Sequence, residues 1–136
     1  MEHAHELYRE WLPGLWNASA EDMPSLAERI FRTDAVGHWP ERVTQPGGIA
    51  AKVQESVSMF DDLVVSLEHG PIVEGNLVAA RWSFAGRVRD IPELPAEPGT
   101  AVFFYGMDLL RLESGLFAEY WPFGDNTELM RQLSAG

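Results

Sequence analysis

The chain has 136 residues, 46% of them hydrophobic, which fits one domain with a single core. Its net charge of -11 disfavours nucleic acid and anionic membrane surfaces as partners, because both would repel it. The absence of cysteine excludes disulfides, cysteine-ligated zinc and a thiolate nucleophile, and the polar start "MEHAHELYRE" lacks the apolar stretch of a secretory signal, so we expect a cytoplasmic protein without a membrane span.

Three helices are predicted in the N-terminal half. Apolar residues recur at helical spacing over residues 5–16, with an interruption near Pro13. A second, short helix is predicted to have Pro24 in its first turn and to end near Thr33. The stretch "AVGHWP" is predicted to be extended and "ERVTQPGG" to be a loop. A third helix with one apolar stripe is predicted for residues 48–60 and closes at Asp61 and Asp62.

The second half has the composition of β-strands. Strands are predicted at residues 63–68, 71–73, 77–89, 101–112 and 116–123, with a proline-rich loop at 90–99 and a hairpin turn at 113–115. A last short helix follows residues 125–127, any of which can cap it. Helices followed by a meander of strands predict an α+β fold, with the helices packed on one face of an antiparallel sheet.

The strand at residues 101–112 is apolar on both of its faces. A sheet buried on both sides needs helices on one side and either a second protomer or its own curled wall on the other. Asp108 stands in this strand, where an ionised carboxylate is costly to desolvate. Either it belongs to a structural hydrogen-bond network, or it lines a cavity where a raised pKa serves chemistry.

Several longer segments resemble one family. They are "MFDDLVVSLEHGPIVEGNLVAARWSFAGRVR", "GMDLLRLESGLFAEYWPFGD" and "LMRQL", and together they resemble the SnoaL-like polyketide cyclases of the NTF2-like superfamily. The resemblance implies a cone-shaped α+β barrel whose N-terminal helices close an apolar pocket, commonly as a homodimer through the sheet. It also implies cofactor-free chemistry, either ring closure on a polyketide or isomerisation, dehydration or hydrolysis of small apolar molecules.

The family's usual catalytic aspartate is missing from this chain. Where the family typically has "E-His-Trp-Asp" in its last strand, this sequence has Glu119, Tyr120, Trp121 and Pro122. By the same resemblance, Asp108 matches a polar position of the preceding strand, and His38 matches a pocket histidine after the second helix.

The leading hypothesis is therefore a cyclase or isomerase in which Asp108 is the acid/base and Tyr120 and His38 orient a substrate oxygen. Each of the three also has a structural interpretation: a bonded buried acid, a core tyrosine, or a packed or surface histidine. The predicted pocket wall, each member of which is by default plain core, comprises Trp39, Met59, Phe60, Trp82, Phe84 and Phe104.

Two alternatives remain open. The loss of the family aspartate is compatible with a non-catalytic protein that binds small molecules in the same pocket. An epoxide-hydrolase type of hydrolase would need a second carboxylate and an arginine around one water, for which Arg81 and Asp90 are available. No phosphate-binding glycine loop, HExxH motif or nucleophile elbow is present, so no metal or other cofactor is expected.

Overall fold

The computed structural model describes residues 2–135. No helix in that range is both long enough and apolar enough to cross a membrane. The helices are α1 (Glu2–Arg9), α2 (Met23–Ile30), α3 (Gln45–Val57) and α4 (Asn126–Ala135), and the strands are β1 (Phe31–His38), β2 (Arg42–Thr44), β3 (Phe60–Glu74), β4 (Leu77–Val88), β5 (Ala101–Glu113) and β6 (Leu116–Gly124).

The first helix is interrupted as the sequence predicts. A π-helical segment (Glu10–Leu15) follows α1, and Leu12 leaves the helical conformation with φ -138° and ψ 116°. The break lies beside Pro13, whose ring and missing N–H are incompatible with a regular helix interior.

The six strands form one curved sheet in the order β2-β1-β6-β5-β4-β3. The sheet does not close, because β2 and β3 remain as its two edges. Strand β1 runs parallel to β6, with Gly37 opposite Tyr120, whereas the other pairs are antiparallel. The prediction of an antiparallel barrel is therefore wrong in two respects: the sheet is open, and one of its strand pairs is parallel. The parallel pair joins strands that lie far apart in the sequence, which local sequence patterns do not reveal.

Several predicted boundaries also need correction. The stretch "ERVTQPGG", predicted to be a loop, contains β2 and the start of α3. The third helix ends at Val57, and Phe60 to Asp62 belong to the next strand. The strands predicted at 63–68 and 71–73 are one strand, β3, which pairs with β4 through several shifts of register. Such bulges absorb extra residues, including Gly70 at φ 100°, without ending a strand.

The hairpin between β5 and β6 has a two-residue turn. Ser114 and Gly115 both have positive φ, as the tight turns that match strand twist require. A shift of register after Arg111 then places that residue opposite Glu119, and Arg111 Nε lies 3.2 Å from Glu119 Oε1.

The two faces of β5 differ in burial. Its even-numbered residues from 102 to 110 are buried, whereas its odd-numbered residues from 101 to 109 are exposed. The outer face therefore presents four large side chains that are 38–52% exposed, and Phe123 of β6, opposite Met107, is 79% exposed. The four are Phe103, Tyr105, Met107 and Leu109.

Candidate functional site

Asp108 is buried on the inner face of β5, with 2% of its surface exposed. Four neutral donors surround its carboxylate. Tyr8 Oη and Trp11 Nε1 donate to Oδ2 at 3.0 and 3.1 Å, and Trp82 Nε1 and Tyr120 Oη donate to Oδ1 at 3.0 and 2.9 Å. The carboxylate thus joins the N-terminal helical region to two strands of the sheet.

Local geometry explains why these donors meet. Tyr8 and Trp11 are three positions apart, so they lie on the same side of the N-terminal helical region. Trp82 stands directly opposite Gly106, and a Cβ at Gly106 would overlap the indole ring. A glycine two residues before Asp108 on the same face therefore leaves the space that lets the Trp82 N–H reach the carboxylate.

The surroundings change the acidity of all three titratable groups. Burial raises the pKa of Asp108 to about 6, although the four hydrogen bonds act in the opposite direction. Burial, and then the charge of Asp108, raises the pKa of Tyr8 and of Tyr120 well above the usual range. The phenols therefore keep their protons, and Asp108 is the group that changes charge near neutral pH.

A cavity of about 380 Å³ opens next to this network. The six predicted wall residues all line it, and so do His38 and Tyr120. Asp108 does not line it. The carboxylate meets the cavity wall only through its two donors Trp82 and Tyr120. The remaining lining residues are Trp16, Pro40, Ser56, Leu94, Pro122, Gly124, Asn126, Leu129, Met130 and Leu133.

His38 is held by a second carboxylate. Its Nε2 lies 2.7 Å from Glu119 Oε2, and its ring stacks on Trp121 with 5.4 Å between centroids. The bond to His38, and then the bond to Arg111, lower the pKa of Glu119. Because an ionised carboxylate only accepts, the hydrogen bond requires a proton on His38 Nε2, and in the neutral imidazole Nδ1 is then the acceptor.

Sequence reasoning missed Tyr8, Trp11 and Glu119 as members of this site. A weak signal existed for the first two, since a tyrosine and a tryptophan with N–H and O–H donors share a helix face that must be buried. No comparable signal existed for Glu119, because its contact with His38 depends on the parallel pairing of β1 with β6.

The residues of the hydrolase alternative lie elsewhere. The guanidinium of Arg81 is 4.0 Å from the centroid of the Tyr105 ring on the outer face, and Asp90 is exposed after β4. Neither residue lines the cavity.

Comparison with known proteins decides the family. The SnoaL-like polyketide cyclase family profile matches residues 6–133, which is nearly the whole chain. The chain belongs to the SnoaL-like polyketide cyclase family. No curated protein matches the sequence significantly.

Solved structures with the SnoaL-like fold agree over almost the full length. TsrD from Streptomyces laurentii is 24% identical, with 99% of this chain and 97% of that chain covered and a TM-score of 0.78. A proposed SnoaL-like polyketide cyclase from Jannaschia sp. CCS1 is 22% identical, with 99% and 94% covered and a TM-score of 0.84. IdmH, a proposed polyketide cyclase from Streptomyces antibioticus, is 20% identical, with 95% and 99% covered and a TM-score of 0.74.

Proposed function

We propose that this protein is a cofactor-independent cyclase or isomerase that acts by acid-base catalysis on an apolar, polyketide-derived carbonyl compound. Family membership supports the reaction class. The observation that carries the proposal is the contact between Tyr120, on the cavity wall, and the buried Asp108, at 2.9 Å. It connects the cavity to a carboxyl group whose pKa is about 6.

The cavity wall suits an uncharged, apolar substrate. Its volume falls within the range of small-molecule sites, roughly 300–1,000 Å³. Aromatic and aliphatic side chains dominate the wall, and no lysine or arginine is among its described residues. A carboxylate or phosphate on the substrate would therefore find no counter-charge there.

Tyr120 supplies the acid. While Asp108 is ionised, the Tyr120 hydroxyl donates its hydrogen bond to the carboxylate and keeps its proton. When Asp108 is protonated, its own O–H can donate to Tyr120, and the phenolic proton is free to bond a substrate oxygen. Proton transfer to that oxygen then moves the carboxyl proton onto Tyr120, so the phenol never has to ionise. Asp108 therefore supplies the proton, and it reaches the substrate only through Tyr120.

His38 supplies the base. Its Nδ1 takes the proton from the carbon next to a carbonyl group, and Glu119 stabilises the imidazolium that results. The enolate carbon then attacks a second carbonyl carbon, forming the C–C bond, and the alkoxide oxygen takes the proton from Tyr120. In an isomerisation, the proton returns to a different carbon of the same enolate.

Exchange of hydrogen next to a carbonyl group for deuterium from the solvent tests this proposal without knowledge of the natural substrate. The protein is incubated in deuterium oxide with apolar aromatic ketones and diketones, α-tetralone first, and deuterium next to the carbonyl group is followed by NMR. We expect exchange above the buffer rate, reduced about a hundredfold by His38→Gln or Tyr120→Phe. His69→Gln and Tyr105→Phe are matched controls, because both residues are exposed and neither lines the cavity. Exchange at the buffer rate for every ketone contradicts the proposal.

A non-catalytic binding protein is the second candidate. The observation that favours it is Pro122, which stands where the family motif has its aspartate. This candidate predicts that ketones bind in the cavity and are recovered without deuterium, whereas the catalytic proposal predicts exchange at the same sites.

We also propose that the outer face of the sheet joins two copies of the chain. Exposed apolar side chains cluster there on the adjacent strands β5 and β6, with Met107 and Phe123 directly opposite each other. Contiguous apolar patches of this kind mark association sites. The arrangement agrees with the expectation from the sequence that a sheet with two apolar faces needs a second protomer, or its own curled wall, on the face that the helices do not cover.

A further inference from the structure

Asn126 brings an uncommitted amide group to the wall of the cavity. It is the first residue of α4 and one of the residues that line the cavity. Its side chain has no hydrogen-bond partner within residues 2–135, and the residue is exposed, so a ligand atom can reach it. In a mainly apolar site, the few polar side chains fix the orientation of the ligand. The free amide is therefore a candidate for ligand recognition.

The surroundings of Gly124 show which way the amide points. The place where a Cβ at Gly124 would stand is 3.6 Å from Asn126 Oδ1. The same place is 3.5 Å from the Trp82 ring and 3.7 Å from the Phe104 ring, and both rings line the cavity. Gly124 pairs with Gly106 of the buried inner face, so this place is on the inner face as well. The amide thus lies beside two aromatic wall residues, on the side of the sheet that faces the cavity.

The fold does not need the Asn126 side chain for a structural task. Asparagine is common at helix N-termini, where it caps free N–H groups. In α4 the preceding residue does so, because Asp125 Oδ1 accepts a hydrogen bond from Glu128 N at 3.1 Å. Another residue ties the helix to the sheet, since the Gln132 amide exchanges two hydrogen bonds with the backbone of Phe103, at 2.6 and 2.7 Å. Replacement of Asn126 should therefore preserve both the cap and the attachment of the helix.

The Trp82 indole lies between Asn126 and the hydroxyl group of the proposed acid. Trp82 Nε1 donates to Asp108 Oδ1 at 3.0 Å, and the same oxygen accepts from Tyr120 Oη at 2.9 Å. The other end of the indole, at Cη2, is the part of the ring that lies beside Gly124 and the Asn126 amide. The wall therefore has two polar positions, at different ends of one aromatic ring system.

We infer that the Asn126 amide binds a second oxygen of the substrate, away from the oxygen that meets Tyr120. The inference rests on the proposed function only in taking the cavity as the substrate site. It narrows the substrate class to uncharged ring compounds that carry an oxygen at each end. A hydroxyl group suits Asn126 best, since it can both donate to the amide oxygen and accept from the amide nitrogen. Asn126 is thus a specificity-determining residue.

Two derivatives of α-tetralone test the inference, 6-hydroxy-α-tetralone and 6-methyl-α-tetralone. They have nearly equal shapes and the same carbonyl group, and they differ in the oxygen at the far end of the ring. Their dissociation constants are measured by calorimetry in slightly acidic buffer, in which the phenol keeps its proton. We expect Asn126→Leu, a change of similar size, to weaken the hydroxy probe about fivefold relative to the methyl probe, because leucine cannot form a hydrogen bond.

Two control variants separate this effect from changes in the helix or the wall. Thr127→Val removes a neighbouring polar group from the first turn of α4 that does not line the cavity, and it should leave the ratio unchanged. Trp39 is a wall residue whose N–H has no partner in the described part of the chain. Trp39→Phe should weaken both probes and preserve their ratio. A ratio that changes in Trp39→Phe and not in Asn126→Leu overturns the inference.

A measurement on the unmodified protein does not depend on how well Asn126→Leu folds. The side-chain amide signals are recorded by ¹⁵N NMR, with those of Asn126 assigned by their loss in the variant. The hydroxy probe should shift one of these amide protons downfield relative to the methyl probe. Equal responses to the two probes, or a ratio that Asn126→Leu leaves unchanged, overturn the inference even if ketones exchange deuterium. Selection of the hydroxy probe by Asn126 without deuterium exchange overturns the proposed reaction and leaves the inference intact.

Discussion

Asp108 and Pro122 lie directly opposite each other in the neighbouring strands β5 and β6. Residues paired in this way project to the same face of a sheet. By the resemblance stated in the sequence analysis, the family's aspartate falls at Pro122, and the carboxyl group of Asp108 lies across the strand pair from that position. The side chains of Trp82 and Tyr120 separate the Asp108 carboxyl group from the cavity. Both donate a hydrogen bond to that group, and both line the cavity.

The replacement Asp108→Asn should lower the free energy of unfolding by about 2–4 kcal/mol. Asparagine keeps one acceptor oxygen, but its NH₂ group faces two donors that then lack an acceptor. Urea unfolding followed by tryptophan fluorescence measures the change. Asp61→Asn is the control, because Asp61 forms an exposed ion pair with Arg89 at 2.8 Å and should change stability by less than about 1 kcal/mol. Equal stability of wild type and Asp108→Asn would show that the four hydrogen bonds contribute nothing to the fold.

The stability contributed by Asp108 should fall as pH rises from about 4 to about 6. Folding raises the pKa of this group from 3.8 to about 6, so the folded state binds a proton that the unfolded state releases within this range. The contribution is fully present below pH 4, is lost through pH 6, and is constant above it. A shift of this size corresponds to on the order of 3 kcal/mol.

Comparison with Asp108→Asn isolates this term, because the other carboxyl groups titrate alike in both proteins. The difference in unfolding free energy, wild type minus variant, is measured at intervals from pH 4 to pH 7. A difference that stays flat, or that grows with pH, is incompatible with a raised pKa at Asp108.

Gly106→Ala should destabilise the protein by about 1–3 kcal/mol, because the added methyl group overlaps the Trp82 ring and displaces its N–H from Asp108. Gly47→Ala is the matched control. A Cβ there meets no atom within 4 Å in the first turn of α3, so the replacement should be neutral or stabilising by up to about 1 kcal/mol. Thermal unfolding of the two variants distinguishes the effects, and a harmless Gly106→Ala would mean that Trp82 can move away without loss.

Met107→Glu should abolish the dimer that we propose. The residue lies at the centre of the exposed apolar face, where a carboxylate would be buried without a partner on association. Sedimentation velocity over a range of concentrations measures the mass. Glu74→Gln, a change at the far end of edge strand β3, should leave the dimer intact. A monomeric wild type at micromolar concentration argues against this interface.

The sequence was informative where signals are local. The break of the first helix at Pro13 and the strands β4 to β6 follow from proline geometry and β-branched residues. The hairpin turn was predicted at residues 113–115, but its two-residue length and the register that it sets come from the structure. Family resemblance added the overall fold, and the family is confirmed by the profile match over residues 6–133.

Other features depend on contacts between distant parts of the chain, which local patterns do not contain. The parallel pairing that brings Glu119 to His38 joins positions 81 residues apart, and the bonds from Tyr8 and Trp11 to Asp108 span about 100 residues. The sequence identified Asp108 as anomalous but left open whether it was bonded or lined a cavity. The structure shows a carboxylate with four partners, two of which form the cavity wall.

The most direct test of the account is the deuterium-exchange rate of the double variant Asp108→Asn/Tyr120→Phe, compared with each single variant. If Asp108 acts on the substrate only through Tyr120, each single change lowers the rate by about a hundredfold and the double variant is no slower than Tyr120→Phe alone. A double variant slowed by the product of the two single effects would mean that the two residues act independently. Asp108 would then not be the source of the proton that Tyr120 passes to the substrate.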